Sequence, residues 1–282
     1  MTHMNDIYSQ KNIKEILDRN GIAPLKQLGQ NFLCDRNVVE KIAAAAVMAG
    51  ENVIEIGPGL GALTRAVASR AHKVVAVEID AGMVRALDET LSDLDNVTVI
   101  HNDILKTDIP SLIDDHFGGG PVAFVGNLPY YITSKCLLLV PESGAMVTRY
   151  TAMVQKEVAE RLSAKPGGKD YGAITASLAY YGGAHRLFDV GADCFMPRPD
   201  VDSAIIQFEP KAVFDVDRDK YSRVVRGLFA MRRKTVMNNA KSAFALEGSA
   251  AQALFESVGI SPAARAETLS PEDFARIATA LK

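Results

Sequence analysis

"VIEIGPGLGALT", residues 53–64, decides how the first half of this chain folds. Four residues, VIEI, make an apolar run with one acid in it. Gly57, Gly59 and Gly61 follow, and a helical stretch begins at once. Glycines at this spacing let the backbone come close to a ligand, and the helix start beyond them offers unpaired N–H groups. The stretch therefore reads as strand, binding loop and helix. Gly57, Gly59 and Ala62 satisfy the dinucleotide fingerprint, which tolerates alanine at its last position. Glu78 ends the next apolar run, 21 residues after Gly57, where a carboxylate accepts hydrogen bonds from ribose hydroxyls. Nicotinamide enzymes and S-adenosylmethionine (SAM) enzymes share this arrangement, so the loop alone leaves both open.

Working outward, apolar runs alternate with helical stretches. VVAVEID (74–80), VTVIHND (97–103), PVAFV (121–125) and TAMVQ (151–155) are continuous rather than alternating, as in strands covered on both faces. The rhythm predicts an α/β fold, a doubly wound and mainly parallel Rossmann-like sheet. After Lys165-Pro166-Gly167-Gly168 the pattern changes. AITASLAYY (173–181), HRLFDV (185–190) and SAIIQFE (203–209) are read as strands closing the sheet. From about residue 213 the reading is helical, which divides the chain into a domain over 1–212 and a small all-helical C-terminal domain over 213–282. The final helix is predicted to open with Ser270 as N-cap, Pro271 at its first position and acids in its first turn.

Composition restricts the function classes. The chain has 282 residues, 48% hydrophobic and 23% charged, as in an ordinary globular protein. No run is long enough for a membrane span, and the N-terminus lacks a signal-peptide layout. Cys34, Cys136 and Cys194 are odd in number and far apart, which fits a reducing cytoplasm and no disulfide framework. The five histidines have no ligand spacing, so no metal is expected. Net charge is −3, yet Lys220–Lys241 carries seven Lys or Arg and no acid. Any nucleic-acid contact should therefore be local. Arg226, Arg232, Arg233 and Lys234 are the expected phosphate binders.

Three features favour SAM over a nicotinamide cofactor. Glu55 lies two residues before the loop, where many methyltransferases carry an acid near the methionine end of SAM. Asp103 ends the third strand, placed to accept from an adenine amino group. The fourth strand ends in Asn127-Leu128-Pro129-Tyr130, and strand carboxyl ends gather at one crevice in such a sheet. Asn-Leu-Pro-Tyr resembles the signature of methyltransferases that act on planar amino groups. The lone pair of such an amine is delocalised into its ring. Two acceptors aimed at its N–H bonds favour a pyramidal nitrogen and free that lone pair. The Asn127 side-chain oxygen and the Pro129 carbonyl are the expected acceptors. Tyr130 is expected to stack on one face of the base and Phe195 on the other. A base inside a stacked helix cannot reach such a site, so the target is unpaired or flipped out.

Five blocks now stand in order: LGQNFLCD (28–35), VIEIGPGLG (53–61), VGNLPYYITS (125–134), FMPRPDVDSA (195–204) and LFAMRRKTVMNNAK (228–241). Together they closely resemble the KsgA/RsmA family of small-subunit ribosomal RNA adenine dimethyltransferases, over nearly the whole chain. The resemblance implies a class I SAM-dependent methyltransferase sheet. It implies SAM as donor and dimethylation at N6 of two adjacent adenosines in the 3′-terminal hairpin loop of 16S rRNA. The substrate would be the maturing 30S subunit, with a role in ribosome biogenesis, and the enzyme a cytoplasmic monomer. By the same resemblance, segment 1–35 completes the cofactor site. Asn31 and Leu33 touch SAM near its methionine end, and Gly57, Glu78, Asp103 and Asn127 hold the rest. The helical C-terminal domain would bind RNA. Met231 and Met237 depart from the family pattern, at positions where Gln and a basic residue are common. Three other readings share some of these features: an Erm-type 23S rRNA methyltransferase, a non-catalytic assembly factor on the same fold, and an NAD-dependent oxidoreductase. FMPRPDVDSA followed by RRKT favours the small-subunit enzyme over the first, and the intact Glu78, Asp103 and Asn127–Tyr130 set argues against the second.

Overall fold

A computed structural model describes residues 7–22 and 30–281. The first part of the LGQNFLCD block, Leu28 and Gly29, lies outside the described residues. The strands are β1 (Phe32–Leu33), β2 (Asn52–Ile56), β3 (Lys73–Glu78), β4 (Val97–His101), β5 (Val122–Asn127), β6 (Val147–Gln155), β7 (His185–Val190), β8 (Phe195–Met196) and β9 (Ser203–Phe208). Seven of them form one sheet in the order β4-β3-β2-β5-β6-β9-β7. The contacts from β4 through β6 are parallel, and β9 runs antiparallel to β6. This is the expected doubly wound architecture. Val53, Ile54, Val74, Val75, Ala123 and Phe124 are fully buried, which is why these strands read as unbroken apolar runs.

The turn chemistry sets where the helices begin. Asp35 caps the helix Arg36–Ala46 by accepting from the Asn37 and Val38 N–H groups. Asp80 does the same for Ala81–Thr90 through Gly82 and Met83. Each side chain satisfies backbone donors that a helix start leaves unpaired. Ser270 caps the last helix, Pro271–Ala280, in a reciprocal box with Asp273, as its sequence predicts.

The chain divides into two compact units. One holds Met1–Ala159 and Arg186–Pro210, and the other holds Glu160–His185 and Lys211–Lys282. A single cut near residue 212 therefore misses a segment, because residues 160–185 belong with the C-terminal unit. The strand expected over 173–181 is instead a helix, Ala173–Ala179. A short apolar run carries no decisive period, and its neighbours settle it. Ala176 packs in a core with Tyr221, Val225 and Phe274, and the Tyr221 hydroxyl donates to the Ala176 carbonyl at 2.9 Å. Those helical partners lie more than 40 residues away, where no window of sequence sees them.

In the first unit the order of strands reverses between β2 and β5. Ligands in open α/β sheets bind at such a point, beyond the carboxyl ends of the strands. The register puts Ile56 beside Val77 on one side and Gly126 on the other, so the ends of β2, β3 and β5 are level. Gly126 is required by this closeness. A Cβ there would lie 2.7 Å from the Ile56 carbonyl oxygen.

Candidate active site

A crevice opens at this reversal. Gly57, Glu78, Asp103, Asn127, Asn31 and Leu33 all line it, although they come from five separate stretches of chain. The glycine loop forms its floor. Gly57 and Gly59 have φ of +67° and +59°, which a side chain would strain. The loop is closed by the Gly61 N–H donating to the Pro58 carbonyl at 2.9 Å.

Glu78 is fastened to the loop. Its Oε2 accepts from the Gly59 N–H at 3.2 Å, and its Oε1 accepts from the N–H groups of Ile79 and Asp80, both at 2.9 Å. Burial raises its pKa above the ordinary carboxylate value, and these three donors pull it partly back. Glu55 is more deeply placed, 1% exposed, with one carboxylate oxygen buried and unpartnered. Burial pushes its pKa to about 8, with the negative Glu78 adding to the rise. The nearby Thr64 hydroxyl opposes this, but it stands outside hydrogen-bonding geometry. Glu55 accordingly holds its proton more tightly than an ordinary carboxylate, and it lines the crevice.

Asp103 caps a short 3₁₀ turn, Ile104–Lys106, accepting from the Leu105 N–H at 3.0 Å. Lys106 lies 3.8 Å from its other oxygen. Asn127 ends β5, and its side-chain amide donates to the Asn31 main-chain carbonyl at 3.1 Å. That bond fixes which end of the amide is the donor, leaving Oδ1 as an acceptor at the crevice.

The Pro129 carbonyl, the other expected acceptor, is already engaged. It already accepts from the Ile132 N–H at 3.1 Å and the Thr133 hydroxyl at 3.0 Å, which occupies both lone pairs. The neighbouring carbonyl of Leu128 is different. The Leu128 N–H is held by the Met153 carbonyl at 3.2 Å, while nothing among the described residues donates to the Leu128 oxygen.

Phe195 also departs from expectation. It is 3% exposed and packs in the core with Leu33, Val39 and Ile205. Its strand β8 pairs antiparallel with β1, placing Phe195 opposite Leu33. Its ring is buried in that core, and it does not figure in the crevice lining. Tyr130 is half-buried and outside the lining, whereas its neighbour Tyr131 is 54% exposed and lines the crevice. Ile7 and Ile13, from the N-terminal segment, line it as well. Sequence reading missed these three. The doubled tyrosine of NLPYY marked the region, but only the fold chooses between its rings.

In the second unit, Arg226, Arg232, Arg233 and Lys234 are all exposed, and among the described residues none has an acidic partner within salt-bridge distance. No group of three His, Cys, Asp or Glu is arranged for a metal ion among the described residues, and no helix there is long and apolar enough to cross a membrane.

Comparison with known proteins gives the lineage. A profile of ribosomal RNA adenine dimethylases matches residues 24–282. The chain belongs to the ribosomal RNA adenine dimethylase family. The ribosomal RNA small subunit methyltransferase A of Bacillus mycoides is 44% identical to it, over 99% of this chain and 98% of the relative. That of Bacillus anthracis is equally similar over the same shares. Among solved structures, the 23S rRNA methyltransferase ErmE aligns with a TM-score of 0.65 at 28% identity, covering 89% of this chain and 99% of that one. A dimethyladenosine transferase from Plasmodium falciparum aligns with a TM-score of 0.72 at 24% identity, covering 87% and 95%. The fold is thus that of the class I methyltransferases, and this dimethylase is an enzyme of adenine methylation on ribosomal RNA. Near-full-length identity to the small-subunit enzymes outweighs the likeness to ErmE. It also disfavours a non-catalytic assembly factor.

Proposed function

We propose that this dimethylase uses SAM to methylate N6 of two adjacent adenosines in the 3′-terminal hairpin loop of 16S rRNA within the maturing 30S subunit. The observation that carries the chemistry is the bond from the Asn127 amide to the Asn31 carbonyl, which leaves the Asn127 oxygen aimed for a donor.

The crevice fits SAM on its own features. The glycine floor admits a close ligand. Glu78 presents a carboxylate where ribose hydroxyls would lie, and Asp103 one where an adenine amine would lie. The buried, unpartnered oxygen of Glu55 calls for a donor at the amino-acid end. Asn31, Leu33, Gly57, Glu78, Asp103 and Asn127 are the proposed holding set. When bound, the sulfonium supplies an electrophilic methyl group with a good leaving group.

The protein's own contribution is placement. Asn127 Oδ1 and the Leu128 carbonyl accept from the two N6 hydrogens and favour a pyramidal nitrogen whose lone pair faces the methyl. Tyr131, which lines the crevice, and Tyr130 beside it hold the base. Thr133 and Ile132 brace the turn through the Pro129 carbonyl. These are positioning and electrostatic effects, effective because the groups are fixed before the substrate arrives. The second compact unit is proposed to grip RNA phosphates through Arg226, Arg232, Arg233 and Lys234, in a cytoplasmic protein acting as a monomer. Mass spectrometry of 16S rRNA from cells lacking this protein tests the reading. Loss of two dimethyladenosines near the 3′ end is expected, and a fully methylated 16S rRNA with altered 23S rRNA would overturn it.

A further inference from the structure

The basic turn of the second unit has an unusual support. Helix Arg218–Phe229 ends just before it, and helix Val236–Phe244 begins just after. Arg232, Arg233 and Lys234 occupy the turn between them. Asn239, one turn into the second helix, is 1% exposed. Its Nδ2 donates to the Leu228 carbonyl at 2.6 Å and to the Met231 carbonyl at 3.2 Å. One buried amide thus grips both sides of the point where the first helix gives way to the turn. Its own Oδ1 is buried without a partner. An unmet buried acceptor costs roughly 1–3 kcal/mol, so the residue is expensive as mere filling.

The grip has an electrostatic consequence. The last carbonyls of a helix lack internal partners and form its negative end. Arg226 lies in the last turn of this helix, with Arg232 and Arg233 close beyond it. Bare carbonyls here would repel a phosphate approaching those cations. The Asn239 amide takes up one of these oxygens, that of Leu228, and also holds the Met231 carbonyl of the turn, which accepts from the Lys234 N–H at 3.0 Å as well. The exposed side then offers guanidinium and ammonium groups on a fixed frame.

We propose that Asn239 is a positioning residue for RNA binding, which sets the Arg232-Arg233-Lys234 turn and masks the negative helix end below it. This rests on the reading of that turn as an RNA-phosphate contact.

The test measures binding to 30S subunits purified from cells lacking this protein, across a salt series. Variants are Asn239→Ala, Asn239→Ser, which keeps one donor, Arg232→Ala with Arg233→Ala, and the triple combination. S-adenosylhomocysteine affinity and circular dichroism report on whether each variant is folded. Each lost phosphate contact should flatten the slope of log K against log salt by about 0.7–0.9. Asn239→Ala is expected to flatten it by about one contact and weaken binding about tenfold at low salt, with Asn239→Ser intermediate and cofactor affinity unchanged. In the arginine-free background Asn239→Ala should add little. Full additivity of the Asn239 and arginine effects, or an unchanged slope in folded Asn239→Ala or Asn239→Ser, would overturn the proposal. If the arginine pair itself leaves the slope unchanged, the RNA reading of the turn fails instead.

Discussion

Asn127 and Asn31, separated by 96 positions in the chain, are joined by one hydrogen bond of 3.1 Å from side-chain amide to backbone carbonyl. The bond ties the end of β5 to the stretch just ahead of β1. It also determines which atom of Asn127 is presented to the crevice. An asparagine without it would be free to turn its amide, and the proposed acceptor would not be held in place.

Replacing Asn127 with alanine should therefore separate binding from chemistry. Affinity for S-adenosylhomocysteine, measured by calorimetry, is expected to stay within about tenfold of the parent. The single-turnover methylation rate should fall roughly 100- to 1,000-fold, the range for losing one fixed polar contact to a reacting centre. Equal rates in the two proteins would count against the acceptor role.

Glu78→Ala should act in the opposite order. It removes a carboxylate that also fastens Gly59, Ile79 and Asp80, so the cofactor constant suffers first. A loss of about 1.5–3 kcal/mol is expected, from hydrogen bonds to a charged group. At saturating SAM the rate should recover much of its value. A variant with parental affinity would remove Glu78 from the holding set.

Thr133 offers a test of the turn itself. Thr133→Val keeps the shape but deletes the hydroxyl bond to the Pro129 carbonyl. A neutral hydrogen bond of this kind is worth about 1 kcal/mol. The methylation rate should fall several-fold with SAM affinity unchanged. Cofactor affinity that drops with the rate would place Thr133 in a purely structural role.

Glu55 makes the pH prediction. Its pKa is near 8 folded against 4.5 in the unfolded chain, so between these values the folded state holds the extra proton. Stability from this group is therefore lost as pH rises from about 4.5 to 8. Glu55→Gln should remove that decline, with a slope change of up to about 1.4 kcal/mol per pH unit in denaturant titrations. Binding of a cationic amino-acid end beside Glu55 would lower its pKa and release a proton near pH 7. Calorimetry of SAM binding in buffers of different ionisation enthalpy reads that release directly. No proton release, with an unaltered stability slope in Glu55→Gln, would sink the assignment.

Gly126→Ala should be costly although it adds one methyl group. The new Cβ would meet the Ile56 carbonyl at 2.7 Å, backbone that cannot turn aside. Overpacking of this kind costs about 1–3 kcal/mol. A lowered melting temperature is the expected readout, and unchanged stability would mean that β2 and β5 can part.

The amino-acid sequence by itself determined the sheet, the glycine loop and the carboxylates that line the crevice. Those features are local: an unbroken apolar run, glycines at fixed spacing, and an acid at the end of the next strand. A chain can announce them because strand ends and loop geometry are set within a few residues. Tertiary structure alone decided what depends on partners far along the chain. It made residues 173–179 a helix through Tyr221, turned Phe195 into the core through Leu33, and drew residues 160–185 to the C-terminal unit. It also committed the Pro129 carbonyl to Ile132 and Thr133. Hydrogen-bond valence and burial are properties of neighbours in space, and no window of sequence contains them.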